Sequence, residues 1–206
     1  MRLFLFLLLF AQTLYSADHN ICFPHTIKCE GETFTRIKLD KGGATKYGVT
    51  IVTYSYWCNG KKITVVVCDK NHDGKITAID LNRTTIEDVK PIYKALYWDV
   101  AKGDQIKNQA IAEFITDFFI NSGASTRNIK LIQKCLGIKQ DGIFGTKTLK
   151  AINSKNPKKL FKVLLAFRTK FFENIVKRNP SQKFFWKGWK NRLKLLTTIY
   201  KNEKLL

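Results

Sequence analysis

Glu30, Asp40 and Thr45 fall within one short stretch, residues 29–50, that also holds Gly42-Gly43 and Gly48. Two carboxylates placed across a loop are the groups that glycoside hydrolysis needs. One carboxyl protonates the leaving oxygen, and a second group on the other face of the sugar activates water or attacks. Glu30 comes at the end of a predicted helix beside Cys29 and Phe34, apolar neighbours that suit an acid kept protonated. Spacing alone does not make such a pair catalytic, because most of them are solvated loop residues.

A second stretch suggests metal chemistry. Residues 69–80 place side-chain oxygens at Asp69, Asn71, Asp73, Thr77 and Asp80, with Gly74 at the sixth position and Ile76 at the eighth. That is the spacing of an EF-hand calcium loop, with Lys75 giving its backbone carbonyl. Asp80 has a shorter reach than the usual Glu, so a structural calcium of weak affinity is expected, on the order of 10⁻⁴–10⁻³ M. Catalysis itself is expected to need no cofactor.

The elements that must carry these groups read as mostly α. A short amphipathic helix over 18–30 carries Phe23, Ile27 and Glu30. Residues 49–58 admit two readings: a strand turning at Asn59-Gly60 into 61–68, or a helix stopped by that pair. The hairpin excludes a Cys58–Cys68 bridge; the helix permits one. A Thr-x-x-Asp cap at Thr85 and Asp88 opens a helix over 85–98, and a core helix follows over 104–121 with Ile106, Ala110, Phe114 and Phe118 on one stripe. Further helices are expected over 126–136, 145–153 and 157–178, the last stopped by Asn179-Pro180 before an aromatic-basic segment over 183–200.

Compartment and partner follow from the N-terminus and the charge. Arg2, an apolar run over 3–11 and small residues at Ser16 and Ala17 form a secretory-signal pattern, too short to span a bilayer. Residues 1–17 are therefore expected to be a signal peptide, and the protein secreted or periplasmic. The 206 residues carry 36 Lys plus Arg against 16 Asp plus Glu, a net +20. Residues 155–206 hold much of that excess, with Glu173 and Glu203 as their only acids. So strong a bias points to a polyanionic partner. Export argues against nucleic acid and for the bacterial wall, and it permits disulfides. Of the five cysteines, Cys135 reads as a buried free thiol, while Cys22, Cys29, Cys58 and Cys68 pair in one of three ways.

Several ordered motifs resemble glycoside hydrolase family 108, the lysozyme-like N-acetylmuramidases. They are Glu30-Gly31-Glu32, then Asp40-Lys41-Gly42-Gly43-Ala44-Thr45-Lys46-Tyr47-Gly48-Val49-Thr50, Tyr97-Trp98-Asp99, residues 117–123 (DFFINSG) and the Gly-Trp-x-x-Arg of 188–192. Glu32 stands where the family has Gly, and Lys41 where it has Pro. The Glu, Asp, Thr order is also similar to that of phage-type lysozymes. The resemblance implies Glu30 as general acid, Asp40 orienting or activating water, and Thr45 holding that water. It implies Tyr47, Trp98, Asp117 and Asn121 as substrate-binding residues, although Asp117, paired with Glu113 at i, i+4, fits a supporting role better.

Residues 129–152, with Gln133, Asp141-Gly142 and Thr148, resemble the core of peptidoglycan-binding modules. The expected architecture is then a lysozyme-like catalytic domain over 18–124 and a small helical peptidoglycan-binding region over 125–206 packed on it. The implied partner is peptidoglycan, acted on by a monomer without stable membrane insertion. The competing reading is a non-catalytic cationic protein that binds the wall or disrupts membranes.

Overall fold

The computed structural model describes residues 16–36, 43–60 and 67–206. Asp18 caps the first helix, α1 (His19–Glu30), its carboxylate accepting the Asn20 N–H at 2.8 Å. Three short strands follow, β1 (Thr35–Arg36), β2 (Ala44–Lys46) and β3 (Val49–Thr50), in an antiparallel sheet of that order. Thr45, in the middle strand, pairs with Thr35 on one side and Thr50 on the other. Tyr47 and Gly48 close the β2–β3 hairpin with φ of 50° and 74°, the pair of positive values that a type I′ turn requires.

Helix α2 (Ile51–Asn59) settles the ambiguous segment as helical. The β-branched and aromatic content favours a strand, but Thr50 caps the segment through the Thr53 N–H, and Tyr54 and Cys58, four residues apart, are both buried. The hairpin lies one step earlier, at Tyr47-Gly48. Cys58 is bridged to Cys68, and Cys22, Cys29 and Cys135 are free thiols; Cys135 is half-buried rather than fully buried.

Helix α3 (Ala78–Arg83) and helix α4 (Ile86–Tyr93) each open with a reciprocal capping box, Thr77 with Asp80 and Thr85 with Asp88. Helix α4 runs on as a π-helical turn, Lys94–Trp98, and a 3₁₀ turn at Gly103–Gln105 leads to α5 (Gln109–Ser122). Every residue from Ala110 to Phe119 is buried. A helix covered on all sides must be central, and α5 is the axle of the molecule.

Around it lie α6 (Thr126–Leu136), α7 (Thr146–Asn153), α8 (Pro157–Arg178), a 3₁₀ turn Pro180–Phe185 and α9 (Trp186–Asn202). The Gln133 amide closes the loop between α6 and α7. It donates to Asp141 (2.7 Å), to the Ile143 carbonyl and to Thr148, and accepts the Gly142 N–H at 2.8 Å.

One apolar core runs through both halves of the chain. It joins Ala17, Cys22 and Trp98 to α5 and to Leu196, Ile199 and Tyr200 of α9. A smaller core gathers α1, the hairpin, α2 and α4 through Phe23, Ile27, Val49, Tyr54, Val89 and Tyr93. The packing therefore does not break at residue 124. Ala17, assigned above to the leader, is buried and donates its N–H to the Ile106 carbonyl at 2.8 Å. Among the described residues no helix is long and apolar enough to cross a membrane.

His25 ties three helices together. Its Nδ1 meets Glu113 of α5 at 2.9 Å and its Nε2 meets Glu203, which follows α9, at 3.0 Å. The Glu113 hydrogen bond, against the opposing effect of burial, raises the imidazole pKa above its usual value. A raised folded-state pKa stabilises fully below about pH 6.5, and the contribution is lost as pH climbs through the raised value. The melting temperature is accordingly expected to fall as pH rises above about 6.5, and His25→Gln to flatten that slope; an unchanged slope in the variant would remove His25 from the account.

Candidate active site

Glu30 is the last residue of α1. Its side-chain partner comes from the far end of the sequence. Arg192 of α9 donates from Nη2 to Glu30 Oε1 at 2.7 Å, across 162 residues of chain. The same guanidinium donates to Asp117 Oδ1 from Nη2 at 2.7 Å and from Nε at 2.9 Å. Asp117 Oδ2 also accepts from Arg168 Nη1 at 2.7 Å. Burial alone would raise the Asp117 pKa, but the two guanidiniums hold the carboxyl below the usual carboxylate range. Among the described residues Glu30 Oε2 accepts no hydrogen bond, so one oxygen of this carboxyl is fixed and the other is available.

The β2–β3 turn lies against the same side chain. A Cβ on Gly48 would fall 2.6 Å from both Glu30 Cβ and the Tyr93 hydroxyl, so only glycine lets the turn approach this closely. Tyr93 pins the turn by donating its hydroxyl to the Tyr47 carbonyl at 2.7 Å. Burial, with the charge of Glu30, pushes the Tyr93 phenol well above its usual pKa and also raises that of Tyr97. Both phenols therefore stay protonated as donors beside the carboxylate. Lys46 anchors the other end of the turn on the Asn82 and Thr84 carbonyls.

The expected site residues divide into several groups. Glu30 and the Tyr47-Gly48 turn come together, and half-buried Thr45 sits on the strand entering that turn. Asp40 lies outside the described residues. Glu32 is exposed. Asn121 is half-buried near the end of α5.

Burial separates Trp98 and Asp117 from the other expected substrate-binding residues. Trp98 is 0% exposed. Its indole N–H goes to Asp104 at 2.6 Å, and its ring lies on Gly103 so closely that no Cβ would fit there. No face of it is left for a sugar. Asp117 is 3% exposed with both oxygens bound by arginines, so it supports the site and does not line it.

The 69–80 loop closes on itself. Asp69 accepts the Asp73 and Gly74 N–H groups, and Asp73 accepts that of Lys75. Asn71 donates its amide to Asp73 at 2.7 Å. Asp80 is fully buried and accepts from the Lys70, Asn71 and Thr77 N–H groups and from the Thr77 hydroxyl. Among the described residues no group of three or more His, Cys, Asp or Glu is placed to hold a metal ion. The loop's carboxylates hold its own backbone, and Asp80 also caps the helix that follows.

Arg192 is the functional residue that spacing did not single out. The available signal was its type: Gly188-Trp189-x-x-Arg192 holds an arginine in a lysine-rich segment, and only a planar guanidinium bridges two carboxylates at fixed angles.

A helical body with a small hairpin sheet set over the carboxylate at a helix end is a lysozyme-like architecture. Residues 23–123 match the glycosyl hydrolase 108 family and 127–194 a family described as "Predicted Peptidoglycan domain". The front part of the chain is thus similar to glycosyl hydrolase family 108, and the part behind it to a peptidoglycan-type module. The solved structure of SagA from Brucella abortus is similar, at 27% identity and a TM-score of 0.68, over 87% of this chain and 91% of that one. No curated protein matches. The protein is thus a glycoside hydrolase of a peptidoglycan-acting class.

Gly48→Ala is expected to force the turn away from Glu30. A drop in stability of about 1–3 kcal/mol in denaturant unfolding, together with a larger fractional loss of wall-clearing activity, is the outcome to look for. Wild-type clearing by the alanine variant would mean that the turn's close approach is incidental.

Proposed function

We propose that the protein is a secreted or periplasmic N-acetylmuramidase that cleaves the β-1,4 bond between N-acetylmuramic acid and N-acetylglucosamine, with Glu30 as general acid. The observation that carries this reading is the half-engaged carboxyl. Arg192 fixes Oε1, the Gly48 turn fixes the side chain from above, and Oε2 is left to deliver a proton. Asp40 is the proposed second carboxylate, acting on water or on the anomeric carbon, and Thr45 the proposed holder of that water. Half-buried Tyr47 and Asn121 remain the proposed sugar contacts.

The family match supports hydrolysis of a glycan, and the second module supports peptidoglycan as the partner. Export rests on the signal-like pattern of the N-terminus. If the leader is removed, the core position of Ala17 favours a cut ahead of it, because a chain starting at Asp18 loses the bond to Ile106. The enzyme is proposed to act as a monomer from the aqueous side, without inserting into the membrane.

Glu30→Gln keeps the shape of the side chain but has no proton to give. Clearing of purified peptidoglycan is expected to fall by about 10²–10⁴-fold, and the wild-type digest to show new reducing muramic-acid ends by mass spectrometry. Clearing that survives the change removes Glu30 from the chemistry. Glucosamine ends, or cut peptides, reassign the bond.

A further inference from the structure

Away from Glu30, a cavity of 320 Å³ opens between α6 and α8. Its floor is apolar, formed by Leu131, Phe167, Phe171 and Ile175 with the half-buried Cys135 thiol. Its rim is cationic. Arg127, Lys134 and Arg178 are exposed, and among the described residues none of them makes an ion pair. A fourth cation, Lys170, is shared with Glu173 at 3.1 Å. No acid lines the cavity.

An apolar floor under three unpaired cations suits a small anionic ligand with short apolar side groups. The size is at the low end for ligand pockets and fits a few small residues. We propose that this groove holds the stem peptide of peptidoglycan, its carboxylates on the Arg127, Lys134 and Arg178 rim and its alanyl methyls on the floor. The proposal rests on the peptidoglycan reading above and adds the part of the polymer that is recognised.

Charge complementarity selects that part. With its lactyl carboxyl tied up in the amide to the stem peptide, the glycan backbone offers no anion to three cations, whereas an unamidated stem peptide carries several free carboxylates, which guanidiniums bind as planar forks. The helix that walls the groove also reaches the cluster around Glu30. Arg168, on the same helix α8, shares Asp117 with the Arg192 that holds Glu30.

The test is calorimetric titration of the whole protein with the synthetic tetrapeptide L-Ala-γ-D-Glu-diaminopimelate-D-Ala. Wild type is expected to bind with an affinity that weakens as salt rises, and Arg127→Glu/Arg178→Glu to bind at least tenfold more weakly at an unchanged melting temperature. No binding to wild type, or equal binding to the double variant, overturns the proposal. So does association with phosphatidylglycerol vesicles that the double variant loses while the tetrapeptide binds neither protein. Glycan cleavage is measured separately, so the two readings fail separately. Cleavage without peptide binding removes the groove assignment alone, and peptide binding without cleavage removes the hydrolase alone.

Discussion

The Arg192 guanidinium is the constraint on which the rest of the structure depends. It places one cation between Glu30 of α1 and Asp117 of α5 while belonging to α9. A charge as buried as Asp117 persists only with well-placed partners, and removing one partner of such a pair costs about 3–5 kcal/mol because the other is left uncompensated. Asp117 is satisfied only when both Arg168 and Arg192 are present. The three C-terminal helices α7, α8 and α9 are therefore not an appendage. The segments that match two separate families share a core and an ion cluster, and the candidate acid is held by a residue from the second of them.

Much of this was legible in the sequence where the signals are local. The Thr85 and Asp88 cap, the α5 stripe, the stop at Asn179-Pro180 and the glycine-bearing loop near Gln133 all turn on residues within about one helical turn of each other. Short-range physics decides those features, and a sequence displays short-range physics directly. Residues 49–58 were undecided because β-branched content and a Thr cap pull in opposite directions, and burial of Tyr54 and Cys58 against other segments settles the matter.

The site was only partly legible. Glu30 follows from its place at a helix end, but its partner lies 162 residues away, beyond any periodicity argument. Trp98 reads from sequence equally well as a sugar contact or as core, and Gly103, five residues on, is what lets the ring sink. Asp80 stands at a position with two uses: the residue that could ligate calcium is also the third residue of a helix, where a carboxylate caps backbone N–H groups. The excess positive charge divides in the same way, with Arg168 and Arg192 consumed by the interior and Arg127, Lys134 and Arg178 left at the surface for an anionic polymer.

The central claim, that a residue of the C-terminal helix sets the geometry of the cleaving acid, is tested most directly by Arg192→Lys. Lysine keeps the charge but cannot reach Glu30 and Asp117 together with a planar fork. Initial rates on purified peptidoglycan, measured beside the unfolding transition of the same variant, are expected to fall by about 10²-fold while the protein still unfolds cooperatively. A lysine variant that folds and cleaves at the wild-type rate would contradict the account.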